Sequence, residues 1–208
     1  MAKVRRATTI APSIDPVAHG ELTSGTPDLL VVDATLHDFA FTDLDVPLLS
    51  LGGASVDGCR FEGVAAREAD WRSTRLRETS FDRLDVPVLR AARGVWRDVH
   101  ITGARLGSVE AYEADWQSVH FIGCKLGFVN LRGAELLDVA LTDCVVGELD
   151  LLHTTARRVA LRGTRLSRLN LHDARLEHVD LRGADLEELD GLLAPLLARE
   201  KGLKVEDA

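Results

Sequence analysis

From Val31 to Leu186, every residue whose number ends in 1 or 6 is apolar, 32 positions in succession without an exception or an insertion. In a chain that is 46% hydrophobic, such a run arises by chance with a probability on the order of 10⁻¹¹. The residue two places earlier, from Leu29, Ala34 and Phe39 through to Ala184, is never charged, although the chain holds 33 acidic and 25 basic residues. This five-residue beat belongs to neither common element. In an α-helix every fifth residue drifts by about 140° around the cylinder, so the apolar set would face all sides. In a flat strand a step of five alternates faces, so the set would point in and out by turns. A chain that changes direction once every five residues keeps one position always inward. The pattern therefore predicts a solenoid whose units bury a core only by stacking.

Longer repeats give the number of sides. Phe41, Phe61, Phe81 and Phe121 are separated by multiples of 20, with Ile101 in the gap. Gly63, Gly103, Gly123, Gly163 and Gly183 form a second 20-residue column. Gly107, Gly127 and Gly147 form a third, which Pro47 and Pro87 share, and Trp96 and Trp116 are also 20 apart. Twenty residues are four fives, so one coil has four sides. About eight coils spaced by ~4.8 Å make a rod of roughly 38 Å.

The motifs Leu131-Arg132-Gly133-Ala134-Glu135-Leu136, Leu171-His172-Asp173-Ala174 and Val179-Asp180-Leu181-Arg182-Gly183-Ala184-Asp185-Leu186 resemble the A(D/N)LxG signature of pentapeptide-repeat proteins. The resemblance covers about three quarters of the chain, is best in the C-terminal fives, and grows degenerate but stays in frame before about residue 120. It implies an all-β fold, a right-handed quadrilateral β-helix, with the central Leu or Phe and the small residue two before it filling the core. The handedness is implied by the resemblance alone. The expected organisation is an N-terminal arm or cap over 1–28, the β-helix over 29–189, and a C-terminal helical cap or dimerisation segment over 190–208.

A chain of 208 residues with an unbroken frame fits one domain. No run approaches the ~18 apolar residues of a membrane span. Lys3, Arg5 and Arg6 are not followed by the apolar stretch of a secretory signal, so a cytoplasmic location is expected. Cys59, Cys124 and Cys144 all fall on the small inward position. They read as buried, reduced thiols serving as small apolar residues, with a Cys124–Cys144 disulfide disfavoured in that compartment.

Both ends of a solenoid expose core and backbone that need covering. Residues 1–28 lack the beat, and Thr26-Pro27-Asp28 reads as a turn into the strand-like run Leu29-Leu30-Val31-Val32. They form either a mobile arm or a cap over the first coil. At the other end, Glu187, Glu188 and Asp190 suit a helix start, and Leu192, Leu193, Leu196 and Leu197 follow at helical spacing up to a stop at Gly202. Pro195 either sits in a first helical turn or splits the segment. These four leucines are the candidate dimer interface, because topoisomerase-inhibiting proteins of the resembling family dimerise end to end there. A monomeric cap is the alternative.

Catalysis needs groups converging in a concave site, whereas a filled rod is convex. Phosphate loops, nucleophile elbows and zinc-protease motifs are missing from the sequence. His100 and His120 share a column and should stack outward on adjacent coils, but two ligands without a third make a poor metal site. Carboxylates such as Asp115, Asp150, Asp180 and Asp185, just before the central apolar residue, read as partners of turn backbone or as plainly solvated groups. The expectation is a protein that is not an enzyme and has neither cofactor nor metal. Tyr112, Ile122, Leu137 and Leu152 should point outward, as scattered apolar residues or as a small docking surface. The bare column Pro47, Pro87, Gly107, Gly127, Gly147 either admits the close approach of another backbone or reflects a turn preference.

The net charge of −8 is banded. Residues 21–57 hold seven acids and no Lys or Arg, and 103–150 hold eight acids against three bases. Arginines dominate between them (Arg72, Arg75, Arg77, Arg90, Arg93, Arg97) and after them (Arg157, Arg158, Arg162, Arg165, Arg168). The candidate partner surface is acidic: Asp33, Asp38, Asp43, Asp45, Asp57, Glu110, Glu113, Asp115, Glu135, Asp138, Asp143, Glu148 and Asp150. Two functions follow. One is a scaffold for an unassigned protein partner. The other, implied by resemblance to the Qnr and mycobacterial fluoroquinolone-resistance types, is a rod that binds DNA gyrase in place of DNA, which needs one continuous acidic stripe. Arginine bands would break such a stripe unless they lie on another face. Direct nucleic-acid binding is not expected at this charge.

Overall fold

The computed structural model describes residues 9–190, and in them the five-residue beat becomes a four-sided coil. A typical coil contributes two strands, such as Val95–Thr102 and Arg105–Glu110. Each strand pairs in parallel with the strands 20 residues before and after it: Trp96 with Leu76 and Trp116, Leu106 with Val86 and Leu126. The result is two parallel sheets, of 11 and 8 strands, wound around one core. This is a quadrilateral β-helix of about eight coils. None of the helices among the described residues is long and apolar enough to cross a membrane.

The corners explain the beat. Among the described residues, twenty-four have positive φ, and every one has a number ending in 3 or 8, three to a coil. Eight are glycine, and the rest include Asp33, Asp38, Asp43, Asp98, Asp138, Asp143 and Asp173. Asp is the side chain that pays least for this left-handed conformation after glycine and asparagine. The fourth corner has no positive φ and carries the bare column of prolines and glycines. The backbone that approaches it is the chain's own preceding coil: a Cβ on Gly107 would lie 2.5 Å from the Pro87 carbonyl oxygen. Gly127 meets Gly107, and Gly147 meets Gly127, in the same way.

Inside, identical side chains stack at the coil spacing. The rings of Phe41, Phe61 and Phe81 are 4.8 and 4.9 Å apart, and those of Trp96 and Trp116 are 4.6 Å apart at 11°. Where the small inward position carries a hydroxyl or thiol, it commonly donates to the carbonyl 23 residues earlier, although Cys59 donates to Asp57 O at 3.3 Å. Thr74 bonds Leu51 O at 2.6 Å, Thr154 bonds Leu131 O at 2.7 Å, and Cys124 bonds Ile101 O at 3.3 Å. Thr therefore substitutes for Ala in this core with its polar atom satisfied. The three cysteines are buried and free, and burial pushes the Cys59 thiol up.

One sequence expectation needs correction. Val31, the first of the 32 apolar positions, is 51% exposed. The short 3-10 turn Pro27–Leu29 shifts the chain so that Leu30 points inward instead. The inward frame thus begins at Leu36.

Candidate functional site

Most of the rod's flank is a ladder of opposite charges. Because strands pair in a 20-residue register, a side chain reaches its counterpart one coil away. Arg77 meets Asp57 at 3.0 Å, Arg157 meets Glu177 at 2.9 Å, and Arg168 meets Glu188 at 2.9 Å. Arg93 lies 3.8 Å from Glu113, Arg90 3.8 Å from Glu110, and Arg97 pairs with Asp115. The arginine bands and acidic bands of the sequence therefore interdigitate along the same columns. Exposed pairs of this kind contribute little stability each. Their effect here is to leave no long stretch of one sign.

Two of the acids expected on a partner surface are not on the surface. Asp150 is fully buried, accepting from the Leu152 amide of its own turn, from Arg132 Nε on the preceding coil at 2.7 Å and from Asn170 Nδ2 on the following coil. Asp138 is buried between Arg158, which grips both carboxylate oxygens, and the Ser13 amide at 2.8 Å. Burial works against its charge, but these hydrogen bonds win and hold the carboxyl below its ordinary value. The expected turn role does hold for Asp150 and Asp180, which accept the amide two residues ahead, each at 3.1 Å.

Of the other candidates, Asp33, Asp38, Asp43, Asp45, Glu135, Asp143 and Glu148 pair with no Lys or Arg among the described residues. The first four share the first coil. That coil also carries Val31, Val32 (56% exposed) and Leu48 (49% exposed), three of the five large hydrophobics most exposed in the described chain. On this coil four acids without a Lys or Arg partner among the described residues and three exposed apolar side chains occur together. Tyr112, Ile122, Leu137 and Leu152 are half-buried and stand in separate columns.

A second feature was not legible as such in the sequence. Residues 9–22 run along the outside of the rod, against the coil order, as a strap. The Ser13 amide bonds Asp138, and the Asp15 amide donates to Ser118 Oγ at 3.3 Å. His19 donates from Nδ1 to Gly58 O at 3.1 Å and takes Ser80 Oγ at 2.6 Å through Nε2. Thr23–Ser24 then adds a short parallel strand beside Phe39–Thr42. The strap thus crosses about five coils, roughly 24 Å. The column beneath it reads Ser80, His100, His120, Ala140, Ala160, five outward positions without a permanent charge. That run is the signal that could have marked a covered face.

His100 and His120 meet edge to face under the strap, with centroids 5.8 Å apart. His120 Nε2 bonds Thr142 Oγ1 at 2.8 Å, while His100 Nε2 is buried without a partner. Burial pushes both imidazoles below their ordinary value, so both are neutral at pH 7. No three His, Cys, Asp or Glu side chains among the described residues are arranged to hold a metal ion. Beyond the two histidines the column shrinks to alanine, and a hollow of about 330 Å³ opens between Ala140 and Ala160 below and Ala11, Pro12 and Ile14 of the strap above. The leucines expected to form a dimer contact, Leu192, Leu193, Leu196 and Leu197, lie outside the described residues.

Residues 114–190 match the model of the pentapeptide repeat region. Among solved structures, a trypsin-treated variant of QnrB1, a plasmid-mediated fluoroquinolone resistance protein, is 18% identical with a TM-score of 0.50, over 85% of this chain and 84% of that one. HetL, a pentapeptide repeat protein involved in heterocyst differentiation regulation from the cyanobacterium Nostoc sp., is 20% identical with a TM-score of 0.40, over 77% of this chain and 86% of that one. No curated protein sequence matches the chain significantly. The first likeness carries the fold and nothing finer.

Proposed function

We propose that this chain, whose residues 114–190 match the pentapeptide repeat region, is a non-enzymatic scaffold that binds a protein partner through its first coil. The observation that carries this reading is the coincidence on one coil of Asp33, Asp38, Asp43 and Asp45, none paired with Lys or Arg, with exposed Val31, Val32 and Leu48. Apolar surface rimmed by one sign of charge is the composition of a docking site. Its chemistry fits a partner with a basic rim around an apolar centre.

A rod that binds gyrase in place of DNA is the weaker reading. DNA presents one negative charge per about 1.7 Å of axis. Here many acids of the later coils are met by arginines one coil away, as at Arg77–Asp57 and Arg157–Glu177, which interrupts any single acidic stripe. The test is crosslinking capture from extract of the source cells with the wild-type chain and with the double variant Val32→Lys, Leu48→Lys. A partner held by the wild type and lost by the variant supports docking on the first coil. A partner held equally by both contradicts it.

A further inference from the structure

The hollow under the strap is a built cavity rather than a packing accident. Its column is filled one and two coils earlier by the imidazoles of His120 and His100 and then drops to two methyl groups, Ala140 and Ala160. A face that only had to seat the strap would keep side chains of the histidines' size at those positions, because interiors are close-packed. The roof, Pro12 and Ile14, is apolar as well. One wall is different. Arg162 lines the cavity and has no ion-pair partner among the described residues, whereas Asp180, the one carboxylate in the lining, is engaged by Arg182 through both oxygens. The site therefore combines an apolar floor and roof with a net positive rim. Its volume lies at the small end of the range for ligand pockets, about 300–1,000 Å³.

We propose that this cavity binds a small unbranched aliphatic carboxylate, with its tail on Ala140 and Ala160 under Ile14 and its head group on the Arg162 guanidinium. The planar fork of Arg162 matches a carboxylate bidentately. The methyl-lined floor and apolar roof accept a methylene chain, and the polar groups of the lining, Thr142, Arg162, Asp180 and Arg182, stand to its side. Closure of the strap over the tail couples occupancy to the order of residues 11–14. This site lies apart from the first coil, so its fate and that of the docking surface are separable.

The test is calorimetric titration of the full chain with octanoate, octanol and octylamine, repeated on Arg162→Gln and Ala160→Leu. Octanoate should bind at least tenfold more tightly than either neutral or cationic analogue. Arg162→Gln should remove that preference while leaving the melting temperature unchanged, and Ala160→Leu, which fills the slot, should abolish binding of all three. Equal binding of octanoate and octanol, octanoate binding that survives Ala160→Leu, or no heat with millimolar octanoate would each overturn the proposal.

Discussion

At the scale of single residues, the molecule is governed by what one position can do to the next coil. A β-helix brings residue i within a strand spacing of residue i+20, so each side chain is judged against its own column. Gly107 shows the strictest case, since its missing Cβ makes room for the Pro87 carbonyl. Gly107→Ala should lower stability by roughly 1–3 kcal/mol, as overpacking against backbone does. In thermal melts that is a fall of several degrees for a chain of this length. Gly20→Ala, with nothing within 4 Å, should leave the melt unchanged. Phe81, stacked on Phe61 and fully enclosed, gives the opposite test. Phe81→Asp buries an unpaired charge and should abolish the cooperative melt, and a soluble variant that still melts cooperatively would refute the inward stack.

At the scale of elements, sequence and structure agree where a column repeats and part where it does not. The coils were legible because one inward position recurs without a break, and the 20-residue columns of phenylalanine and glycine gave the number of sides, whereas the aspartates that share the left-handed corners with glycine were not singled out by any such column. The first turn was misplaced by one residue, because Pro27–Leu29 forms a local turn that outweighs the frame and sends Leu30 rather than Val31 inward. The strap was hidden for a different reason: residues 9–22 have no periodicity, and their position is set by scattered partners such as Asp138, Ser118 and Ser80. Its neutral underside can be titrated. The folded His100 and His120 bind protons less readily than they would in the unfolded chain. Their contribution is thus fully present above the ordinary histidine value, about 6.5, and is lost as pH falls through the lowered folded values. The melting temperature should drop between pH 7.5 and 5, and the drop should shrink in His100→Gln, His120→Gln. The strap itself is held by few hydrogen bonds, so Ile14→Asp should expose residues 9–22 to protease with little change in the melt of the rod, which strand pairing maintains. A collapse of the rod's melt in that variant would show that the strap is structural.

At the scale of the whole molecule, the question is where net charge goes. The sequence shows bands of acid and of arginine, and banding alone permits either separate faces or mutual neutralisation. The 20-residue register decides for neutralisation, because Arg77, Arg93, Arg157 and Arg168 each come within ion-pair distance of an acid one coil away. Of the candidate acids without a Lys or Arg partner among the described residues, four lie together on the first coil, and the other three, Glu135, Asp143 and Glu148, are on later coils. The acids of the proposed docking surface, Asp33, Asp38, Asp43 and Asp45, are among the thirteen that the sequence offered, whereas its exposed Val31, Val32 and Leu48 were not. The burial of Asp138 and Asp150 was not legible, since the first depends on the strap and the second on Arg132 and Asn170 of the neighbouring coils, beyond the turn contact expected of Asp150. The central claim is that this rod is a protein scaffold and not a stand-in for DNA, and the most direct test is a DNA gyrase supercoiling assay titrated with the purified full chain. The account predicts unimpaired supercoiling through micromolar concentrations. Inhibition in that range, lost when Asp33, Asp38, Asp43 and Asp45 are changed to asparagine, would contradict it and make the first coil the start of an acidic mimic.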